Sequence, residues 1–171
     1  MSRAGGGELQ RLGTEIGNAL RARDETLAIA ESCTGGLIAA TLTAVPGASD
    51  FFWGAAVVYT AHAKEALAGV AADTLERHGT VSAETTAELA RGARARSGAT
   101  YGLAVTGWAG PTAGPGSEVG EVHGALCHVA GIERGRWHFD GDRESVREEG
   151  ARAVLMLLQG LLTAAQDDTD E

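Results

Sequence analysis

The chain carries three short apolar runs, "TLAIA" at residues 26–30, "GAAVVYT" at 54–60 and "TYGLAVTG" at 100–107. Each is continuous rather than alternating in apolarity, and too short to be a helix of ordinary length. That pattern reads as strands buried on both faces. A sheet buried on both faces needs helices above and below it, which confines the chain to an α/β architecture. The intervening segments supply them. Residues 8–24 place Leu9, Leu12, Ile16 and Leu20 three or four apart, the period of an amphipathic helix. A second helix is predicted over 34–45, stopped by Pro46 and Gly47. A third runs over 61–69. A fourth lies within 81–99, with Ser82 as its cap and Glu84 in its first turn. Residues 121–131 and 134–141 read as a hairpin joined near 131–135. Residues 142–166 form a long last helix, and 108–120 are too rich in Gly and Pro for either regular element. The expected fold is a three-layer α/β/α sandwich on a mixed, mostly parallel sheet of about five strands. It occupies residues 8–166 as one domain, between a frayed arm at 1–7 and an acidic tail at 167–171.

At 171 residues and 44% hydrophobic content, such a domain can bury a full core without a metal or disulfide. No apolar run reaches membrane-spanning length, and the first ten residues hold no signal-like apolar core. A cytoplasmic protein without a membrane partner is expected. Cys33 and Cys127 are then free thiols. The net charge of -9 argues against a nucleic-acid partner, since counterion release needs a basic surface. It does not argue against a small anion held by local donors. Of 14 basic residues, Lys64 is the single lysine; the rest are arginine. Wherever charge alone suffices arginine serves, but arginine cannot be deprotonated, whereas lysine can be tuned to act as a base. Lys64 is either a chance survivor on a helix surface or a group whose proton is used.

In open α/β sheets, ligands bind beyond the strand C-termini. The three apolar runs end at "ESCTGG", "YTAHAK" and "TGWAGP", which brings Ser32, Tyr59, Lys64 and Thr106 toward one region. Ser32 leads into a glycine turn and a helix. It is either a helix cap or a nucleophile with Lys64 as base, with Tyr59 relaying the proton or orienting the amine. Backbone N–H groups after Ser32 are candidate oxyanion donors. The loop 110–120 could cradle a phosphate or serve as a lid, and it lacks the ending of a P-loop. The histidines have no metal-ligand spacing, so no metal and no cofactor are expected. Arg143 and Arg147 share a helix face, where they either grip an anion or pair with Glu144 and Glu148.

Taken in order, "AESCTGGLIA", "VVYTAHAKEALAGV", "TVSAETTAELARGA", "AVTGWAGP" and "FDGDRESVR" resemble the C-terminal domain of the competence/damage-inducible CinA family, which includes nicotinamide mononucleotide amidohydrolase. The resemblance extends over nearly the whole chain, in a stand-alone form. It implies deamidation of a small pyridine mononucleotide in nucleotide salvage, and assembly as a homodimer or larger homo-oligomer. It implies catalysis by Ser32, Tyr59 and Lys64, and substrate binding by Cys33, Thr34, Gly35, Thr106, Gly107 and Arg143. The resemblance and the lysine count point to the same side chain, which favours Ser32 as nucleophile over Ser32 as cap. Trp108, the shorter loop 112–120 and His62 depart from the family's usual residues and bear on the substrate. A catalytically silent nucleotide-binding module, or a hydrolase of another small amide, would share the same scaffold.

Overall fold

The computed structural model describes residues 3–167. Its elements run α1 (Arg3–Ala22), β1 (Leu27–Glu31), α2 (Leu37–Thr43), a short 3-10 turn (Ala48–Asp50), β2 (Phe52–Val57), α3 (Ala61–Ala68), α4 (Ala72–His78), α5 (Ala83–Ser97), β3 (Tyr101–Gly107), β4 (Glu121–His128), β5 (Gly131–His138) and α6 (Arg143–Asp167). The five strands form one sheet in the order β2-β1-β3-β4-β5. β1 pairs in parallel with β2 and with β3, whereas β3–β4 and β4–β5 are antiparallel. The α/β/α expectation and the mixed sheet are both found.

The two faces of the sheet are covered unequally. Leu27 and Ile29 of β1, Leu103 and Val105 of β3, and Val122 and Leu126 of β4 pack with Leu12 and Ile16 of α1, Ile38 of α2, and Val154 and Leu158 of α6. The alternate residues, Ala30, Ala104 and Ala125, face Leu89 and Ala90 of α5 and Ala68 of α3. Large side chains therefore fill one layer and alanines the other, so α5 lies close on the strands. Gly102 allows the closest approach: a Cβ there would sit 2.1 Å from the Ala90 carbonyl oxygen. Gly92 does the same where α5 crosses the end of α3, since a methyl group at that position would meet the Ala68 carbonyl oxygen at 1.8 Å.

Several sequence expectations are corrected. β2 is not a buried strand. It forms the edge of the sheet, with Trp53 63% and Val57 45% exposed, and it ends at Val57 rather than Thr60. An apolar run does not reveal how many neighbours a strand has. Helix α1 extends back to Arg3, so residues 3–7 continue the helix instead of forming an arm; each added residue closes one more backbone bond on an existing nucleus. Residues 1 and 2, and 168–171 of the acidic tail, lie outside the described residues. The hairpin turns at Val129 and Ala130, two residues ahead of the expected joint. Helix α4, which packs only a half-buried Leu75 against the core, has no apolar period to announce it. Among the described residues, no helix is long and apolar enough to cross a membrane.

The close seat of α5 can be tested directly. Gly102→Ala inserts one methyl group against the Ala90 carbonyl and is expected to cost about 1–3 kcal/mol of stability, the usual range for overpacking. Chemical denaturation of the two proteins measures it. An unchanged midpoint would show that the helix has room to lift.

Candidate active site

The site begins where β1 ends. Glu31 is fully buried. Its carboxylate accepts hydrogen bonds from Thr34 Oγ1 at 2.6 Å and from the N–H groups of Gly36, Ile38 and Ala39 at 3.0, 3.1 and 2.8 Å. A helix start leaves backbone N–H groups unsatisfied and favours negative charge, and Glu31 meets both demands for α2. The chain between them must double back sharply. Gly35 and Gly36 do this at φ 61° and 97°, a left-handed region that other residues rarely enter. Arg147 of α6 closes the turn from the opposite side, donating to the carbonyls of Cys33 at 3.2 Å and Thr34 at 2.9 Å.

This turn fixes Ser32, whose own N–H donates to Val105 O of β3 at 3.1 Å. The helix starts at Leu37 with Gly36 as its cap residue, so Ser32 does not cap it. Instead Ser32 Oγ lies 2.9 Å from Lys64 Nζ. Lys64 comes from α3, whose start is capped by Thr60 accepting from the Ala63 N–H at 3.1 Å. The lysine is 1% exposed, and its Nζ also donates to Val58 O at 2.7 Å. No carboxylate among the described residues pairs with it. Burial lowers its pKa from 10.5 to about 8, against a smaller opposing influence of Cys33. A neutral amine has two N–H bonds and one lone pair. With one N–H on Val58 O, the lone pair is free to accept the Ser32 hydroxyl proton. Cys33 is the other nucleophilic atom nearby, but burial pushes its thiol up to about 11, so it stays protonated at neutral pH. The N–H groups of Cys33 and Thr34 approach that thiol, and no backbone carbonyl among the described residues takes them up.

Ser32 and Lys64 open into a cavity of about 220 Å³. Cys33, Tyr59, Gly107 and Arg143, all named above as candidate site residues, also line it. Tyr59 is placed differently from its expected role beside Lys64. Its hydroxyl accepts from Arg143 Nη2 at 2.6 Å at the rim, where the residue is 57% exposed, and the hydrogen bonds of Lys64 Nζ go to Ser32 and Val58 instead. Arg143 also donates to the Gly110 carbonyl. Three expected binding residues do not line the cavity. Thr106 is fully buried and its hydroxyl is hydrogen-bonded to that of Thr86 at 2.8 Å. Thr34 is turned onto Glu31, and Gly35 faces Arg147. Trp108 and Thr112 of the glycine-rich segment, with Thr80 and Val81 before α5, complete the wall. Neither Thr80 nor Thr112 carried any signal in the sequence. Glu31 did: a lone acid closing an apolar strand just ahead of a Gly-Gly turn. Among the described residues, no group of three or more His, Cys, Asp or Glu could hold a metal ion.

A family model of the CinA C-terminal domain matches residues 9–162. The chain belongs to the CinA C-terminal domain family. Among CinA relatives, it is 50% identical over 148 residues to a CinA-like protein of Myxococcus xanthus, covering 85% of this chain and 35% of that protein. It is 44% identical over 137 residues to a putative competence-damage inducible protein of Desulforamulus reducens, covering 80% of this chain and 33% of that one. The chain thus spans about a third of the length of the curated relatives it matches. Solved CinA structures agree in fold. The competence damage-inducible protein A of Klebsiella pneumoniae superposes with a TM-score of 0.88 at 36% identity, covering 91% of this chain and 97% of that one. The competence/damage inducible protein CihA of Agrobacterium tumefaciens gives 0.86 at 36% identity, covering 90% of this chain and 95% of that one.

The buried lysine makes stability depend on pH in a definite direction. The folded pKa of Lys64 lies below its unfolded value, so between about 8 and 10.5 the unfolded chain binds the proton and the folded one does not. Stability therefore rises with pH across that window, by about 3 kcal/mol in all. Measured against Lys64→Met at each pH, the wild-type domain should gain steadily on the variant from pH 8 to 10.5. A pH-independent difference would mean that the amine is not desolvated.

Proposed function

We propose that this CinA-family domain is an amidohydrolase that converts nicotinamide mononucleotide to nicotinic acid mononucleotide and ammonia, with Ser32 as nucleophile and Lys64 as general base. The observation that carries this reading is the 2.9 Å contact between Ser32 Oγ and a buried Lys64 amine held on Val58 O. Neutral Lys64 takes the Ser32 proton as Oγ attacks the carboxamide carbon. The N–H groups of Cys33 and Thr34 are the donors available to the developing oxyanion. The lysine then returns the proton to the leaving nitrogen, the C–N bond breaks, and ammonia departs. Water, deprotonated by the same amine, cleaves the serine ester and restores both groups. One water is consumed, and every proton passes through Lys64, so the scheme requires no cofactor.

Arg143 would hold the substrate phosphate, with Tyr59 fixing the direction of its guanidinium fork. A protein of net charge -9 repels a phosphate at long range, so binding must come from such local donors.

Ammonia release by the purified protein over nicotinamide mononucleotide, nicotinamide and nicotinamide riboside tests the reading. The mononucleotide is the expected substrate. Turnover should rise with pH through about 8 and level off above, because the base works only when neutral. Lys64→Arg retains the charge but not the lone pair, and should lose most activity, as should Ser32→Ala. Near-normal turnover by Lys64→Arg would end the mechanism. Ammonia from another amide alone would keep the chemistry and change the substrate. No ammonia from any amide would leave a silent binding module.

Removing Arg143 separates binding from chemistry. A charged hydrogen bond contributes about 1.5–3 kcal/mol, so Arg143→Ala should raise KM for the mononucleotide roughly ten- to a hundredfold. The preference over the riboside should vanish with it. If KM hardly moves, the guanidinium serves only Tyr59 and Gly110.

A further inference from the structure

The cavity wall has an unusual charge balance for the substrate proposed above. Its lining includes the cationic Arg143 and the titratable amine of Lys64, but no carboxylate. That suits a phosphate. It does not suit the ring of nicotinamide mononucleotide, whose ring nitrogen is quaternary and positively charged. An ion pair within the wall is ruled out by its composition. The electron-rich face of an aromatic ring can meet that charge without a carboxylate. Two aromatic residues line the cavity, Tyr59 and Trp108. Tyr59 stands exposed at the rim with its hydroxyl on Arg143, the phosphate end of the proposed site.

Trp108 is held far more firmly. It follows directly on β3, and its backbone is pinned on both sides: its N–H donates to Glu121 O at 2.9 Å, and its carbonyl accepts from Gly120 N at 2.7 Å. Its ring is seated by the absence of a side chain at Gly114, where a Cβ would lie 2.7 Å from Cζ2. The indole N–H is buried, with no hydrogen-bond partner among the described residues. A half-buried indole set rigidly into an acid-free cavity, beside a glycine that leaves it room, is a built surface.

We infer that Trp108 is a specificity-determining residue whose indole face recognises the positive charge of the pyridinium ring. The inference rests on the proposed substrate and adds a distinction to it: the domain discriminates by ring charge as well as by phosphate. The glycine at 114 is part of the same device, since a larger residue there displaces the indole.

The test compares nicotinamide mononucleotide with its reduced dihydropyridine form, which keeps the phosphate and carboxamide but has an uncharged ring. Binding is measured by calorimetry in a Ser32→Ala background, so that no turnover is needed. Adding Trp108→Leu should weaken binding of the oxidised form roughly three- to thirtyfold, the range of a cation–π contact, and leave the reduced form nearly unchanged. Trp108→Phe should restore most of the difference, and Gly114→Val should reproduce the loss. Equal weakening of both forms, or no weakening of the oxidised one, overturns the inference, because a plain hydrophobic wall does not sense ring charge. The two readings fail separately. If the wild-type domain releases no ammonia from the mononucleotide yet the Ser32→Ala protein shows the Trp108-dependent preference, the hydrolase reading falls and ring recognition stands. If the mononucleotide does not bind at all, both fall.

Discussion

A single buried carboxylate organises the site. No cation among the described residues pairs with Glu31; four hydrogen-bond donors from the next eight residues converge on it instead. Such an acid, stripped of water, is tolerable only if its lone pairs are filled, and the Thr34–Ala39 segment can fill them in one conformation. The requirement runs both ways. The turn needs the carboxylate to satisfy the first N–H groups of α2, and the carboxylate needs the turn. Ser32 lies between the acid and the turn it anchors, so its position follows from theirs. Arg147 completes the arrangement by binding the carbonyls of the same turn. Acid and base thus grip opposite polar groups of one short loop without touching each other.

The fold was legible in the sequence wherever burial is symmetric. β1 and β3 are enclosed on both faces, and their unbroken apolar runs say so. The same kind of run misled for β2, because alanine and valine suit an edge strand equally well and edge position depends on distant pairing. α4 escaped because Leu75 alone packs against the core, and a helix without a buried stripe has no period. The cap at Ser82 was readable because capping is local: its side chain accepts from the Thr85 N–H three residues on.

The site was partly legible for the same reason. Ser32 follows the end of β1 and Lys64 lies within the helix that follows β2, and composition separately marked the lysine. Thr34 and Thr106 stand near strand ends too, but their side chains turn onto Glu31 and Thr86. Successive side chains of a strand point to opposite faces, so a motif written along the chain cannot say which of its members sees the cavity. Arg147 shows the limit most clearly. One helical turn from Arg143, it carries the same charge, yet one lines the cavity and the other holds the backbone behind it. The one-turn offset, invisible to charge counting, decides between them.

The use of one lysine among thirteen arginines now has a physical basis. The proposed reaction needs two positive groups with opposite properties. At the rim, a phosphate calls for a charge that persists at any working pH and a planar fork to match its oxygens, which arginine supplies. Against the serine, a charge that persisted would block the chemistry, because a base must be able to lose its proton. A guanidinium buried where Lys64 lies would remain charged and unpaired, at the full cost of its desolvation. An amine can escape that cost by giving up its proton, and the lone pair it then carries is the one the proposed reaction requires. Burial is therefore tolerable for the lysine for the same reason that it activates it, and the position is closed to arginine on both counts.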